Sequence, residues 1–316
     1  MKTKLFSFMA IMILTLALVG CGASKQATAP ANDGVKIVDD LNRTIVLKQP
    51  AKRIISLYSA HTENLLALGL EAEIIGVSPA ESDPAVKSKP VFDYRADPEK
   101  VLAAQPDIVI IRPFIKQSYP DFVKTLEQAN VKVVCLYPEK FEEFDGYIQK
   151  LAVLTGKEKQ AADMLAAFHA RLKAVAERTA RAPVKKRVYF EATATEYRTI
   201  TPDSMPGTVL KLAGGINIAA DAQPLKTGSS IAAYGSERLL MKAEDIDVFV
   251  AQRGPMNPGV TPDSITQRPG FDKIKAVRDG KVYIVDEKLV SSPVFRLAEG
   301  VEQLAKIIYP EVFAGE

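Results

Sequence analysis

Apolar and polar residues alternate along the first half of the chain with two periods, one typical of strands and one typical of helices. Short apolar runs predict strands at residues 35–39, 44–47, 53–57, 74–77, 108–111 and 131–136. Helical spacing between the later strands predicts helices at residues 62–68, 98–104 and 119–128. Strands that alternate with helices imply βαβ crossovers, so we expect a parallel sheet covered on both faces.

The second half of the chain repeats this alternation. Its predicted strands lie at residues 188–190, 248–250 and 282–285, and its predicted helices at 207–213, 268–274 and a last segment through Ile308. We therefore expect a second lobe of the same type.

Between the two halves lies the longest helical pattern, over residues 157–180. Gly156 separates it from the preceding helix and Pro183 ends it. At 1.5 Å per residue such a helix would be about 36 Å long. Its apolar stripe consists of Ala161, Leu165, Phe168, Leu172 and Val175.

These patterns predict an α/β fold with two lobes, each a mainly parallel sheet flanked by helices, joined by one long rigid helix. The expected bounds are residues 35–142 for the N-terminal lobe, 143–183 for the linking helices and 184–316 for the C-terminal lobe. One packed helix between the lobes should restrict them to small rocking motions.

The first 34 residues have a different pattern. Lys2 and Lys4, an apolar stretch over residues 5–19 and the small Gly20 are the parts of a secretory signal peptide spanning residues 1–20. Leu18-Val19-Gly20-Cys21 also resembles a bacterial lipobox, which implies that Cys21 carries a diacylglycerol and palmitate and anchors the protein to a membrane. The alternative is an ordinary cleaved signal with an incidental cysteine.

Residues 21–34 are small and polar, and they predict a flexible tether. The expected location is therefore extracytoplasmic, either on the outer face of the cytoplasmic membrane or in a periplasm. The sequence leaves the type of envelope open.

Composition and charge exclude several classes of function. The net charge of +3 is nearly balanced and no basic block is present, which argues against nucleic-acid binding. Cys135 lies in an apolar run and predicts a buried, inert thiol, while His61 and His169 lack metal-ligand spacing. Glu191 and Glu196 are the nearest approach to paired catalytic acids, but they have no recognisable partner, so no enzyme, catalytic residue or metal site is predicted.

Five segments together resemble the periplasmic and lipoprotein solute-binding proteins that serve iron-siderophore, haem and cobalamin ABC importers. The resemblance implies two α/β lobes joined by one long helix, a monomer, a small-molecule metal chelate as ligand, and an importer permease with its ATPase as partners. The segments are RIISLYSAHTENLLALGLEAEIIGVS, DPEKVLAAQPDIVII, VLKLAGGINIA, ERLLMKAEDIDVFVA and RLAEGVEQLAKIIYPE.

In that family, an acidic residue at the tip of each lobe docks onto arginines of the permease. The matching position in the first lobe is Glu63, although a carboxylate there would also be stabilised by the helix dipole. In the second lobe the matching position holds Thr208, so this sequence departs from the pattern. Asp203 or Glu237 are the possible substitutes.

Ligands of open α/β sheets bind outside the carboxyl ends of the strands, so residues that follow strands are the candidates for the cleft. Arg112 and Arg253 rank first because each directly follows a buried strand at equivalent places in the two lobes. For any single residue, plain solvation in a loop is the alternative. The full candidate set is Tyr58, Tyr94, Arg112, Phe114, Tyr137, Arg198, Arg253, Met256, Phe295 and Arg296, with Ser59, Asp93, Arg95, Pro113 and Lys226 beside them.

Arginines and tyrosines in a cleft suit a bulky anionic chelate. An iron(III)-siderophore is therefore the first choice and a corrinoid (cobalamin) the second, since the chain has no tryptophan to pack on a corrin face. Haem or a metal oxyanion such as molybdate come after these. No covalent cofactor apart from the lipid is predicted, and a surface adhesin lipoprotein is the rival class.

Overall fold

The computed structural model describes residues 34–96, 98–226 and 228–314, which begin with an antiparallel hairpin of β1 (Val35–Val38) and β2 (Thr44–Leu47). From Gly34 onward the chain forms one compact unit. The predicted signal peptide, Cys21 and most of the tether lie outside the described residues. In the described ranges, no helix is long and apolar enough to cross a membrane.

The first of two large sheets is parallel throughout and has the strand order β4-β3-β5-β6. Its strands are β3 (Ile54–Ser56), β4 (Ile74–Val77), β5 (Ile108–Ile111) and β6 (Lys132–Cys135). Its helices are α1 (Ser59–Ala67), α2 (Pro98–Ala103), α3 (Pro113–Ser118) and α4 (Pro120–Gln128). Alternate residues of β5 enter two different hydrophobic clusters, so apolar side chains cover both faces of the sheet.

Two linking helices follow, α5 (Phe144–Thr155) and α6 (Glu158–Thr179). Gly156 lies between them with φ +68°, a conformation that favours glycine and ends α5. All five residues of the predicted stripe on α6 are buried, as expected. Its 22 residues correspond to a length of about 33 Å.

The second large sheet is also parallel, with the strand order β13-β12-β7-β9, and a small antiparallel sheet of order β10-β11-β8 lies in the same half of the chain. The strands are β7 (Arg187–Glu191), β8 (Thr199–Ile200), β9 (Ile216–Asn217), β10 (Gln223–Pro224), β11 (Ile231–Ala233), β12 (Val248–Arg253) and β13 (Val282–Asp286).

The helices that the structure describes in this half have at most eight residues, except α12, which has twelve. They are α7 (Met205–Leu212), α8 (Ser236–Met241), α9 (Pro262–Thr266), α10 (Lys275–Arg278), α11 (Glu287–Ser291), α12 (Leu297–Ile308) and α13 (Pro310–Phe313). Single 3₁₀ turns in the chain are Pro84–Val86, Phe141–Glu143, Thr195–Tyr197, Ala243–Asp245 and Phe271–Lys273.

The predicted helix at residues 268–274 is wrong. Pro269 cannot donate a backbone hydrogen bond, and Gly270 adopts φ +81°, so the chain turns there instead of continuing a helix. Only the 3₁₀ turn Phe271–Lys273 forms inside that range, and α9 and α10 lie on either side of it.

The predicted fold class is confirmed, with two parallel sheets flanked by helices and joined through α5 and α6. We call the sheet β4-β3-β5-β6 with its helices the first lobe and the sheet β13-β12-β7-β9 with its helices the second lobe. The largest hydrophobic cluster runs from the first sheet through α5 and α6 to α12 and the second sheet without interruption. Cys135 is buried as predicted, and burial raises the pKa of its thiol to about 12, which makes it unreactive.

Candidate ligand-binding cleft

The carboxyl ends of the strands in both sheets deliver side chains to the space between the lobes. In the first lobe, Tyr58, Arg112 and Tyr137 follow β3, β5 and β6. In the second lobe, Arg253 ends β12 and Glu287 directly follows β13. This placement follows from parallel pairing, because all carboxyl ends of a parallel sheet lie at one edge.

Arg112 forms the centre of the first wall of the cleft. Its guanidinium carbon lies 4.9 Å from the centroid of the Tyr58 ring and 5.0 Å from that of Phe114, which is cation–π geometry with two rings. Within the part of the chain that the structure describes, no carboxylate is within salt-bridge distance of Arg112. Its positive charge is therefore available to a ligand.

Two tyrosines lie beside this arginine, with the rings of Tyr58 and Tyr137 at 6.0 Å. Burial raises the pKa of Tyr58 strongly, with further upward contributions from Tyr137 and Glu287 and a downward one from Arg112. Burial also raises the pKa of Tyr137. Both phenols therefore stay protonated at neutral pH and can donate hydrogen bonds to an anionic ligand.

The second wall consists of the loop after β12 and the start of α11. The backbone N–H of Met256 donates to Oε2 of Glu287 at 3.4 Å, and burial raises the pKa of this carboxyl. A Cβ atom on Gly254 would lie 2.2 Å from the same oxygen, so only glycine fits there. Arg253 and Met256 are exposed, and no described carboxylate pairs with Arg253.

Aromatic side chains continue outward from the centre along the first lobe. Phe114 lies 6.2 Å from Tyr119, and Tyr119 lies 5.0 Å from Tyr94, measured between ring centroids. With 44% of its surface exposed, Phe114 presents a large apolar face to solvent or to a ligand. The structure thus brings together Tyr58, Arg112, Phe114 and Tyr137, with Tyr94 at the outer end.

Three other candidates contact different partners. Arg198 pairs with Glu196 at 2.9 Å. Phe295 is partly buried and packs against the main core, with ring centroids 5.5 Å from Phe144 and 6.1 Å from Phe168. Arg296 makes a two-pronged ion pair with the predicted docking residue Glu63, at 2.6 and 2.8 Å.

The ion pair between Glu63 and Arg296 belongs to a set of contacts that joins the lobes on one side of the cleft. Asn64 donates to the carbonyl of Pro293 at 2.8 Å and accepts from the backbone N–H of Phe295 at 3.3 Å. Lys288 of the second lobe donates to the hydroxyl of Ser82 at 2.5 Å. A cavity of about 270 Å³ lies among these contacts.

A second cavity of about 420 Å³ lies on the side of Tyr137, within the range of small-molecule sites. Its lining joins residues 137–140 of the first lobe to residues 201–206 and 228–230 and Ser291 of the second. Of this lining the sequence interpretation included Tyr137 but missed residues 201–206 and 228–230. Residues 201–206 follow β8 and residues 228–230 precede β11, and these strands of two and three residues belong to the small sheet and leave no clear pattern in the sequence. The sequence interpretation also missed Glu287, which the rule of residues after strands could have found, since Glu287 comes directly after β13.

Comparison with known proteins found a matching family model and several similar proteins. The family model described as "Periplasmic binding protein" matches residues 54–289, more than half of the chain. An uncharacterized ABC transporter substrate-binding lipoprotein, YvrC of Bacillus subtilis (strain 168), is 28% identical and the match covers 99% of each chain. The vitamin B12-binding protein of Vibrio cholerae serotype O1 is 24% identical, over 81% of this chain and 88% of that protein.

Among solved structures, a similar one comes from Staphylococcus epidermidis ATCC 12228. It is described as that of a possible iron-binding (periplasmic solute-binding) protein. The two chains are 25% identical and superpose with a TM-score of 0.71, covering 82% of this chain and 99% of the other.

Proposed function

Because the chain belongs to the periplasmic binding protein family, we propose that it is the lipid-anchored, extracytoplasmic substrate-binding protein of an ABC importer. In this proposal it captures an iron(III)-siderophore between its lobes, as a monomer, and delivers it to a permease and its ATPase. Cys21 carries the lipid, and residues 21–34 are the tether. The likeness to a substrate-binding lipoprotein over 99% of both chains supports this assignment.

The observation that carries the proposal is the unpaired guanidinium of Arg112, held between two aromatic rings at the edge of a parallel sheet. A folded protein normally pairs a half-buried charge, so a charge left available in a cleft favours a role in binding. Oxygen-rich chelates of iron(III) offer both acceptors for the guanidinium and flat or apolar surfaces for Tyr58 and Phe114.

A corrinoid is the second candidate ligand. The vitamin B12-binding relative of Vibrio cholerae favours it, and stacked rings along the first lobe would also suit a large planar macrocycle. Haem and a metal oxyanion follow these two.

The first prediction is direct binding by the full-length protein in detergent micelles. A ferric siderophore, cyanocobalamin, haemin and molybdate are each added while tyrosine fluorescence and melting temperature are recorded. A true ligand at a hundredfold its Kd should stabilise the fold by about 2.7 kcal/mol. Arg112→Ala should weaken its binding at least tenfold, because the charge held against the ligand is lost.

The matched control for that variant is Arg181→Ala, which removes an exposed arginine just beyond the end of α6. Its affinity should equal that of the wild type. Absence of binding to all four ligands would contradict the proposal and favour a surface adhesin, whereas wild-type affinity of Arg112→Ala would contradict the assignment of the site.

A further inference from the structure

The cleft contains an unpaired negative charge, that of Glu287, as well as the positive charge of Arg112. Glu287 projects from the second lobe, and among the described residues no Lys, Arg or His nitrogen lies within salt-bridge distance of it. Within the described part of the chain, its side chain accepts one hydrogen bond, the long one from the Met256 amide at 3.4 Å. An unpaired carboxylate therefore stands in the same cleft as the unpaired guanidinium of Arg112.

The position of Glu287 is fixed by its surroundings. The absence of a side chain at Gly254 lets the backbone pack against this carboxylate, since a Cβ atom there would lie 2.6 Å from Cβ of Glu287. Glu287 directly follows β13, so it lies at the carboxyl edge of the second sheet, the edge that borders the cleft. Its negative charge also contributes to the raised pKa of the Tyr58 phenol.

The flanking cavities reinforce this negative character. In the described residues, the linings of the two cavities between the lobes contain three cationic side chains, Lys140, Lys288 and Arg296. Against these stand the carboxylates of Glu63, Glu81, Asp83, Glu139, Asp203 and Asp286. With Arg112 and Arg253 added on one side and Glu287 on the other, the described residues of the cleft and its two cavities include five cationic and seven carboxylate side chains. A polyanion entering the cleft would lose water and meet more negative than positive groups around it.

The charges around the cleft favour the binding of some chemical classes of chelate and oppose the binding of others. Three catecholates around iron(III) leave a triply negative complex, whereas three hydroxamates balance the charge of the metal and leave a neutral one. Corrinoids carry carboxamide side chains. Amide or ammonium N–H groups of such ligands would make charge-assisted hydrogen bonds to Glu287, while Arg112 would meet their carbonyl or hydroxamate oxygens.

The geometry points to a ligand of zero or positive net charge that presents N–H donors to Glu287, and not to a tris-catecholate complex. This inference rests on the proposed function, since it names the chelate class for the same cleft. In this arrangement Glu287 determines ligand specificity, because its charge attracts N–H donors and repels polyanions.

The test measures the affinity of the full-length protein in detergent micelles for three probes: a ferric trihydroxamate, cyanocobalamin and a ferric tris-catecholate. Either the ferric trihydroxamate or cyanocobalamin should bind at least tenfold more tightly than the tris-catecholate. Preference for the trihydroxamate would identify the ligand as a siderophore, and preference for cyanocobalamin would identify it as a corrinoid. Glu287→Gln keeps the shape and removes the charge. It should strengthen tris-catecholate binding about tenfold, equivalent to about 1.4 kcal/mol, and weaken binding of the preferred probe.

Glu158→Gln is the control, because it removes an equal charge from the exposed start of α6. It should leave all three affinities unchanged. Tightest binding of the tris-catecholate by the wild type, or an equal effect of Glu287→Gln on all probes, would overturn the inference and leave the proposed function standing. Failure of all three probes to bind would overturn the siderophore and corrinoid assignments as well.

Discussion

At the scale of single residues, the Tyr58 ring in the first wall of the cleft contacts both the charged Arg112 and the neutral His61. His61 is fully buried under the edge of the Tyr58 ring, at 5.1 Å between centroids, and its Nδ1 lies 2.7 Å from the hydroxyl of Tyr147. Burial, helped by the nearby charge of Arg112 and opposed by a hydrogen bond with the Ile111 carbonyl, lowers the pKa of His61 to about 3. The imidazole therefore stays neutral in the folded protein.

This burial makes a prediction about acid stability. The unfolded chain protonates His61 below about pH 6.5 while the folded chain does not until about pH 3, so stability falls as the pH drops through that window. At pH 5 the loss is about 2 kcal/mol. His61→Gln should remove this loss, measured as the difference between the unfolding free energies in urea at pH 7.5 and pH 5.

Tyr147→Phe is the matched control, since it deletes the hydrogen bonds of this hydroxyl with His61 and Asn64 but keeps the histidine. It should be less stable at both pH values and retain the wild-type difference between them. An unchanged difference in His61→Gln would show that other groups cause the acid sensitivity.

Some residues of the site could be predicted from sequence and others could not. Tyr58, Arg112 and Tyr137 were predictable because each follows an apolar strand, and the topology of a parallel sheet then places them together. The ion pair of Glu63 with Arg296 was not, because it joins residues 233 positions apart and depends on how the lobes pack. The same packing places Phe295, partly buried, against the main core.

At the scale of elements, α1 connects three parts of the molecule. Its start adjoins Tyr58 in the cleft, Glu63 in its second turn pairs with Arg296, and Asn64 bonds to the chain before α12. Docking of Glu63 on a permease, which remains a proposal, would require a permease cation to replace Arg296. The partly exposed carboxylate, with 22% of the side chain accessible, leaves room for such an exchange.

Two variants separate docking from a purely structural ion pair. Glu63→Ala should still bind the ligand, since Arg112 and Glu287 remain. Cells whose copy of the protein carries this change should no longer take up the ligand. Arg296→Ala loses the same ion pair, worth about 0.2–1 kcal/mol at a partly exposed site, yet keeps the docking carboxylate and should retain uptake. Equal loss of uptake in both variants would contradict a docking role for Glu63.

The elements differ in how well the sequence predicts them, for physical reasons. The stripe on α6 spans about four turns, so its period is clear, and Gly156 marks the start of the helix. The sheet of β8, β10 and β11 has strands of two or three residues, too short to carry a period. Helices α3 and α9 begin at Pro113 and Pro262 and last six and five residues, and the sequence pattern predicted no element at either place.

At the scale of the whole molecule, α6 holds both lobes on one core. It packs against α5 on the side of the first lobe and against α7, α12 and α13 on the side of the second. Phe168 lies at the middle of this contact, 5.1 Å from the Phe144 ring and 6.1 Å from the Phe295 ring. A continuous core of this kind predicts that the two lobes unfold together.

Phe168→Ala tests that prediction. The cavity left at this buried position should lower the free energy of unfolding by about 3–5 kcal/mol. Hydrogen exchange of the β5 and β12 amides should show the same loss of protection, because both sheets share the core. Loss confined to one sheet would contradict a single cooperative unit.

Lys173→Ala is the control on the same helix, since its side chain is 78% exposed. Alanine has high helix propensity, so the change in unfolding free energy should stay below about 0.5 kcal/mol. Protection of the β5 and β12 amides should match that of the wild type.

The hydrogen bonds of Asn64 have a consequence for biosynthesis. Their backbone partners, Pro293 and Phe295, follow 229 and 231 residues later in the chain. A ribosome releases the amino end first, so the buried amide of α1 lacks these two partners until almost the whole polypeptide has emerged. An unmade bond at a buried polar group is costly, and the nascent first lobe is therefore held short of its native state during synthesis. Completion of the fold waits for the last two dozen residues, and premature termination before Pro293 leaves a product that quality control should recognise as unfinished.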